Sequence, residues 1–219
     1  MIKRLICVVL GITSLGLGIG LTIYSTLGSD PLATFVTNLS YLGNVSYNVA
    51  YIFVNLIFFL FMFLYLKDKI NIGTILSLFL LGFLTDLFSK LLFNLPISIE
   101  VTSSIVFKII MAVIGILFST FGIALYGEGN LGLSPYDCFP LVLNRMNRSI
   151  KYVTGKMLLD LLLVLLSIVL YFINKTIGHS YYLPQVITLV SFVVYGPLIS
   201  FFSIIINYTI FRGQKRILK

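Results

Sequence analysis

Six long apolar runs leave this chain few ways to fold. They cover roughly residues 5–27, 47–66, 72–93, 105–127, 153–174 and 184–208. Each comes close to the roughly 20 residues that a helix needs to cross the hydrocarbon core of a bilayer. In lipid the backbone has to satisfy its own polar groups, which leaves helices and closed barrels. Barrel strands are short and alternate in hydrophobicity, whereas these runs are continuous. The expected fold is therefore all-α: a polytopic membrane helix bundle, one transmembrane domain over residues 1–219. Charged residues make up only 10% of the chain, against about 25% in soluble domains. The stretch Met1-Ile2-Lys3-Arg4 ahead of the first run looks like the start of a signal peptide. No A-x-A-like site follows, so the first run is expected to stay as a span.

The net charge of +8 has to be read by location. Lysines and arginines of membrane proteins concentrate in cytoplasmic loops. With six spans and a cytoplasmic N-terminus, that side receives Lys3, Arg4, Lys67, Lys69, Arg145, Arg148, Lys151, Lys156, Arg212, Lys215, Arg216 and Lys219. Only Lys90, Lys108 and Lys175 fall on the other side. Both termini are thus expected in the cytoplasm. No basic helix interleaved with aromatics is present, so nucleic acid is not an expected partner; the lipid bilayer is.

The two halves of the chain resemble each other. Gly18-Ile19-Gly20-Leu21 aligns with Gly122-Ile123-Ala124-Leu125. Without a gap, Leu27-Gly28-Ser29-Asp30-Pro31 aligns with Leu131-Gly132-Leu133-Ser134-Pro135, and Phe35 meets Phe139. Further on, Asn55 pairs with Asp160, Thr74 with Thr188, and Gly82 with Gly196. Repeat 1 covers approximately 5–95 and repeat 2 approximately 105–208. Three spans per half is an odd number, so the second half enters the membrane from the opposite side. Such inverted-topology repeats are common in secondary transporters.

The shared LG-x-[DS]-P loop follows the first span of each half. Gly28 and Gly132 suit a positive φ that ends a helix. Asp30 and Ser134 are good N-caps, and Pro31 and Pro135 suit the first helical position. Each loop reads as the end of one helix and the start of a short one, about 31–42 and 135–146. Helices of that length do not span; they lie at the interface or re-enter the protein. Their N-termini, with Tyr136 and Asp137 in the second, are either ordinary capped starts or ligand-facing ends.

Ionisable groups within spans are functional candidates by default. Asp160 lies in the fifth span, four residues after Lys156; Asp86 lies in the third, four residues before Lys90. Each spacing puts both groups on one helix face. They form local salt bridges, or one of the aspartates carries a proton or a cation. Asn55 joins them as a pathway candidate or hydrogen-bonds a neighbouring helix. Glu128 and Asp137 flank the second loop and are expected to be solvated, or paired with Arg145 or Arg148. Gly11, Gly16, Gly18, Gly20, Gly115 and Gly122 fit close helix packing. Cys7 and Cys138 lie far apart, the second in a loop, and His179 is the single histidine. Neither a metal site nor a cofactor is expected. No nucleophile elbow, HExxH or P-loop is present, so no enzymatic activity is expected.

The glycine-rich first span, the LGSDP loop, Asn55, Ile72-Gly73-Thr74-Ile75, the loop from Leu131 to Asp137 and Gly196-Pro197-Leu198 together resemble the YczE/YyaS/YitT family of bacterial membrane proteins. That resemblance implies a multi-pass protein of the bacterial cytoplasmic membrane. It supplies no substrate. One departure is visible: Ile187 precedes Thr188 where a glycine is expected. The expected function is a small secondary transporter or permease with its site between the repeats. The alternative is a non-transporting scaffold, immunity factor or regulatory partner of another membrane complex.

Overall fold

A computed structural model describes residues 2–96, 104–150, 152–182 and 186–211. Lys151, Arg212, Lys215, Arg216 and Lys219, used above for orientation, lie outside the described residues. Among the described residues there is no strand. Six helices are long and apolar enough to cross a membrane. They are α1 (Ile2–Ser25), α3 (Tyr47–Tyr65), α4 (Ile72–Phe93), α5 (Ile105–Glu128), α7 (Tyr152–Ile177) and α8 (Val186–Thr209). The short helices are α2 (Pro31–Gly43) and α6 (Pro135–Met146). Residues such as Leu60, Leu161, Val169 and Val193 are more than half exposed. A belt of that kind is stable only against lipid, and the protein is a multi-pass membrane protein.

α1 is the most enclosed of the six spans because its glycines let two neighbours close in. Gly16 and Gly20 face Leu84 and Phe88 of α4, while Gly11 and Gly18 face α5. A Cβ on Gly18 would stand 2.6 Å from the Gly115 carbonyl oxygen, and one on Gly122 would stand 2.6 Å from that of Gly11. The reverse approaches, Gly11 to Gly122 and Gly115 to Gly18, are both 2.8 Å. Early α1 meets late α5, so the two helices are antiparallel. Each contact has its mirror, as in an isologous two-fold interface. The axis relating antiparallel helices is perpendicular to them, which places it in the membrane plane.

The rest of the bundle follows the same symmetry. α4 packs on α1, and α8 packs on α5. Each short helix crosses to the other half, α2 against α7 and α6 against α3. The main core joins these layers through Ile12, Val36, Tyr51, Val142 and Leu163. One irregularity belongs to the first half: α4 contains a π-helical turn, Ser77–Leu81. A π turn takes an extra residue and shifts the helix face beyond it. Immediately after it, Gly82 sits against the ring of Tyr51 and the amide of Asn48.

Candidate functional site

The two LG-x-[DS]-P loops fold alike. Thr26 and Gly28 have positive φ in the first, and Asn130 and Gly132 in the second. The Asp30 carboxylate accepts from Ala33 N–H at 3.1 Å, and the Ser134 hydroxyl accepts from Asp137 N–H at 3.2 Å. Both caps expected from sequence are in place, each followed by its proline at the first helical position. Each loop is also tied back to the helix before it. Ser29 and Thr22 share a hydroxyl–hydroxyl bond of 2.7 Å, and Ser134 N–H donates to the Tyr126 hydroxyl. The chain therefore turns back into the bundle before the short helix begins.

This decides between interfacial and re-entrant. Thirteen residues rise about 20 Å, less than the roughly 30 Å of the hydrocarbon core. The first residues of α2 are buried, and Gly43 and Asn44 at its end are exposed. α2 runs beside α7, from Asp30 near Lys156 and Asp160 to Tyr41, whose carbonyl lies 3.1 Å from His179 Nδ1. Between those ends, Asn38 donates to the Ser167 hydroxyl at 2.9 Å and accepts at its own carbonyl from Asn174 at 2.9 Å. α6 runs beside α3, from Tyr136 at Phe58 to Arg145, which reaches Asp68 at 3.3 Å. Both short helices start inside the bundle and leave it toward opposite faces.

Their starts meet a charged cluster. Lys156 Nζ lies 3.1 Å from Asp160 Oδ1, the ion pair that the spacing allowed. Tyr136 donates its hydroxyl to the same carboxylate oxygen, and the Lys156 ammonium sits 3.7 Å from the Tyr136 ring centroid. Asp30 and Asp137 are within electrostatic reach of both Lys156 and Asp160. The Asp86–Lys90 pair is also present, at 2.8 Å, but outside this cluster, with Lys90 largely exposed. Asn55 is fully buried and donates to the Tyr51 carbonyl at 3.2 Å. No hydrogen bond joins it to Asp160, its repeat partner, among the described residues. The halves are alike in backbone and unlike in charge at that position.

Three expectations are corrected. Glu128 is neither solvated nor paired with Arg145 or Arg148. It is buried at the end of α5, where Ser203 donates to Oε1 and Asn207 donates to Oε2 at 2.6 Å. Asp137 is half-buried and accepts from the Ser134 hydroxyl at 2.7 Å, while Arg145 turns to Asp68. Cys138 lies within α6, buried, and not in a loop. In each case the deciding partner comes from helix packing or from the cap itself. Sequence reasoning missed Tyr136 as a partner of Asp160; an aromatic hydroxyl at the second position of a re-entrant helix was the available signal. Among the described residues, no group of three or more His, Cys, Asp or Glu side chains could hold a metal.

A model for a family of unknown function (DUF6198) matches residues 2–204. The chain belongs to that family. No curated protein and no solved structure matches it. The two capped loops and the Lys156–Asp160 pair all lie within the matched segment, so this DUF6198 chain carries its candidate site in the region that defines the family.

Proposed function

We propose that this protein is a small secondary permease of a bacterial cytoplasmic membrane, with both termini cytoplasmic and its substrate site between the two halves. One observation carries the reading: two oppositely directed re-entrant helices begin within the bundle beside the Lys156–Asp160–Tyr136 cluster, whose carboxylate and phenol are buried. Broken or re-entrant helices of this kind place helix termini and irregular backbone at transporter binding sites. Buried charge in a membrane is costly and is kept where it serves a pathway. Kinship with the YczE/YyaS/YitT proteins is part of this proposal, and the motifs quoted above are what support it.

The second reading, a non-transporting partner of another complex, draws on one specific fact. Asp160 is already satisfied by Lys156 and Tyr136 and needs no ligand to be stable. The two readings part in proteoliposomes. A permease moves at least one solute in a flux screen of amino acids, organic anions and organic and inorganic cations. Asp160→Asn then abolishes the flux while the protein still purifies as a folded species. Full flux in Asp160→Asn removes the assigned role of that carboxylate, and no flux of any solute favours the partner reading.

A further inference from the structure

A group of buried oxygens around the start of α2 has no hydrogen-bond partner among the described residues. Asp30 Oδ2, the hydroxyls of Tyr47 and Tyr51, and Asn48 Oδ1 are all shielded and unpaired. Tyr47 and Tyr51 are 9% and 1% exposed, and their rings stack at 6.2 Å. Asn48 and Tyr51 both border Gly82, just past the π turn of α4. The Asp30 carboxylate is within electrostatic reach of both tyrosines. Buried polar atoms are nearly always paired, so a cluster of exceptions requires an explanation.

The carboxylate and amide oxygens accept, and the tyrosine hydroxyls can donate as well as accept. What the cluster lacks is positive charge. Asp30 has Asp137, Asp160 and Lys156 within reach, three carboxylates against one ammonium. Lys156 is already paired with Asp160 at 3.1 Å. The α2 N-terminus adds only about half a positive charge. An anion would deepen the imbalance, and a neutral donor would leave a buried carboxylate uncompensated.

We propose that this cluster binds a monovalent cation, with Asp30 as its counter-charge and the Tyr47 and Tyr51 hydroxyls as oxygen partners. A metal ion and a primary ammonium share this chemistry, and the test separates them. The inference deepens the permease reading by naming the substrate or coupling-ion class, yet binding itself is measured without flux.

The purified chain in detergent, in N-methyl-D-glucamine chloride at fixed ionic strength, is titrated with NaCl, KCl or methylammonium chloride. Melting temperature and tyrosine fluorescence are followed; the chain has 13 Tyr and no Trp, so its tyrosine emission is read directly. One of the three cations is expected to give a saturable fluorescence change and a rise in melting temperature. Tyr51→Phe removes an unpaired hydroxyl, keeps the fold, and weakens binding about tenfold. Asp30→Asn keeps a good N-cap residue and weakens binding at least about thirtyfold. A metal ion is the occupant if Na+ or K+ saturates, and an ammonium if only methylammonium does. No saturable response to any of the three, or equal affinity in both variants, overturns the proposal. Cation binding without any flux removes the permease reading and leaves the site. Flux of a neutral or anionic solute without cation binding does the reverse.

Discussion

The backbone N–H of Gly73 donates to the carbonyl of Leu131 across 2.6 Å. Gly73 sits in the first turn of α4, where N–H groups have no partner within the helix. Leu131 opens the loop of the other half. The mirrored bond exists too: Ile187, in the first turn of α8, donates to Leu27 at 3.1 Å. Each LG loop is therefore latched by the third span of the opposite repeat. The departure from glycine at Ile187 coincides with the longer bond. A Cβ at residue 73 would stand 2.6 Å from the Leu131 oxygen, so the shorter latch needs glycine.

Gly73→Val is accordingly expected to destabilise the protein by about 2–3 kcal/mol, an overpacking cost. A thermal-shift measurement in detergent checks it. Gly196→Ala serves as the contrast, because a Cβ there meets nothing within 4 Å. Equal melting temperatures for Gly73→Val and the parent chain would contradict the latch.

Glu128 ties the end of α5 to α8 through Ser203 and Asn207. Glu128→Ala removes the carboxylate that both Ser203 and Asn207 donate to and is expected to cost about 2–3 kcal/mol. Glu128→Gln keeps an acceptor oxygen and is expected to cost less. A melting temperature for Glu128→Gln at or below that of Glu128→Ala would show that the hydrogen bonds to α8 are not what matters.

Lys156→Met alone strands the Asp160 carboxylate in a buried setting, a loss of about 3–5 kcal/mol. Asp160→Leu combined with it removes both charges and is expected to recover most of that stability. Additive losses in this double-mutant cycle would mean that the two side chains do not act as a pair. The double variant is also expected to be inactive in the flux screen, which separates its stability from its function.

Opposite exits for α2 and α6 predict opposite labelling. Cys7 and Cys138 are the two cysteines, both buried, and both are replaced by alanine for this test. Val45→Cys and Met146→Cys, at exposed ends of the short helices, are then expected to react with a membrane-impermeant thiol reagent from different sides. The proposed orientation puts residue 45 outside and residue 146 inside. Labelling of both from one side would refute the antiparallel arrangement of the halves.

The sequence by itself determined the six spans, the internal likeness and the starts of both short helices. These are local properties. Hydropathy over some 20 residues selects a span, and Asp30-Pro31 and Ser134-Pro135 carry their caps within one turn. The i, i+4 spacing likewise placed Lys156 beside Asp160 and Asp86 beside Lys90. Only the tertiary structure decided that the short helices re-enter, that Tyr136 completes the Lys156–Asp160 pair, and that Glu128 turns inward to Ser203 and Asn207. Those outcomes depend on how each helix is rotated about its axis and which helix lies opposite. The glycine contacts between α1 and α5 set that rotation, because two backbones can approach so closely in few ways. The LG-x-[DS]-P motif could be read as a turn and a cap; that its leucine carbonyl is held by the other half became visible only once the two repeats were packed together.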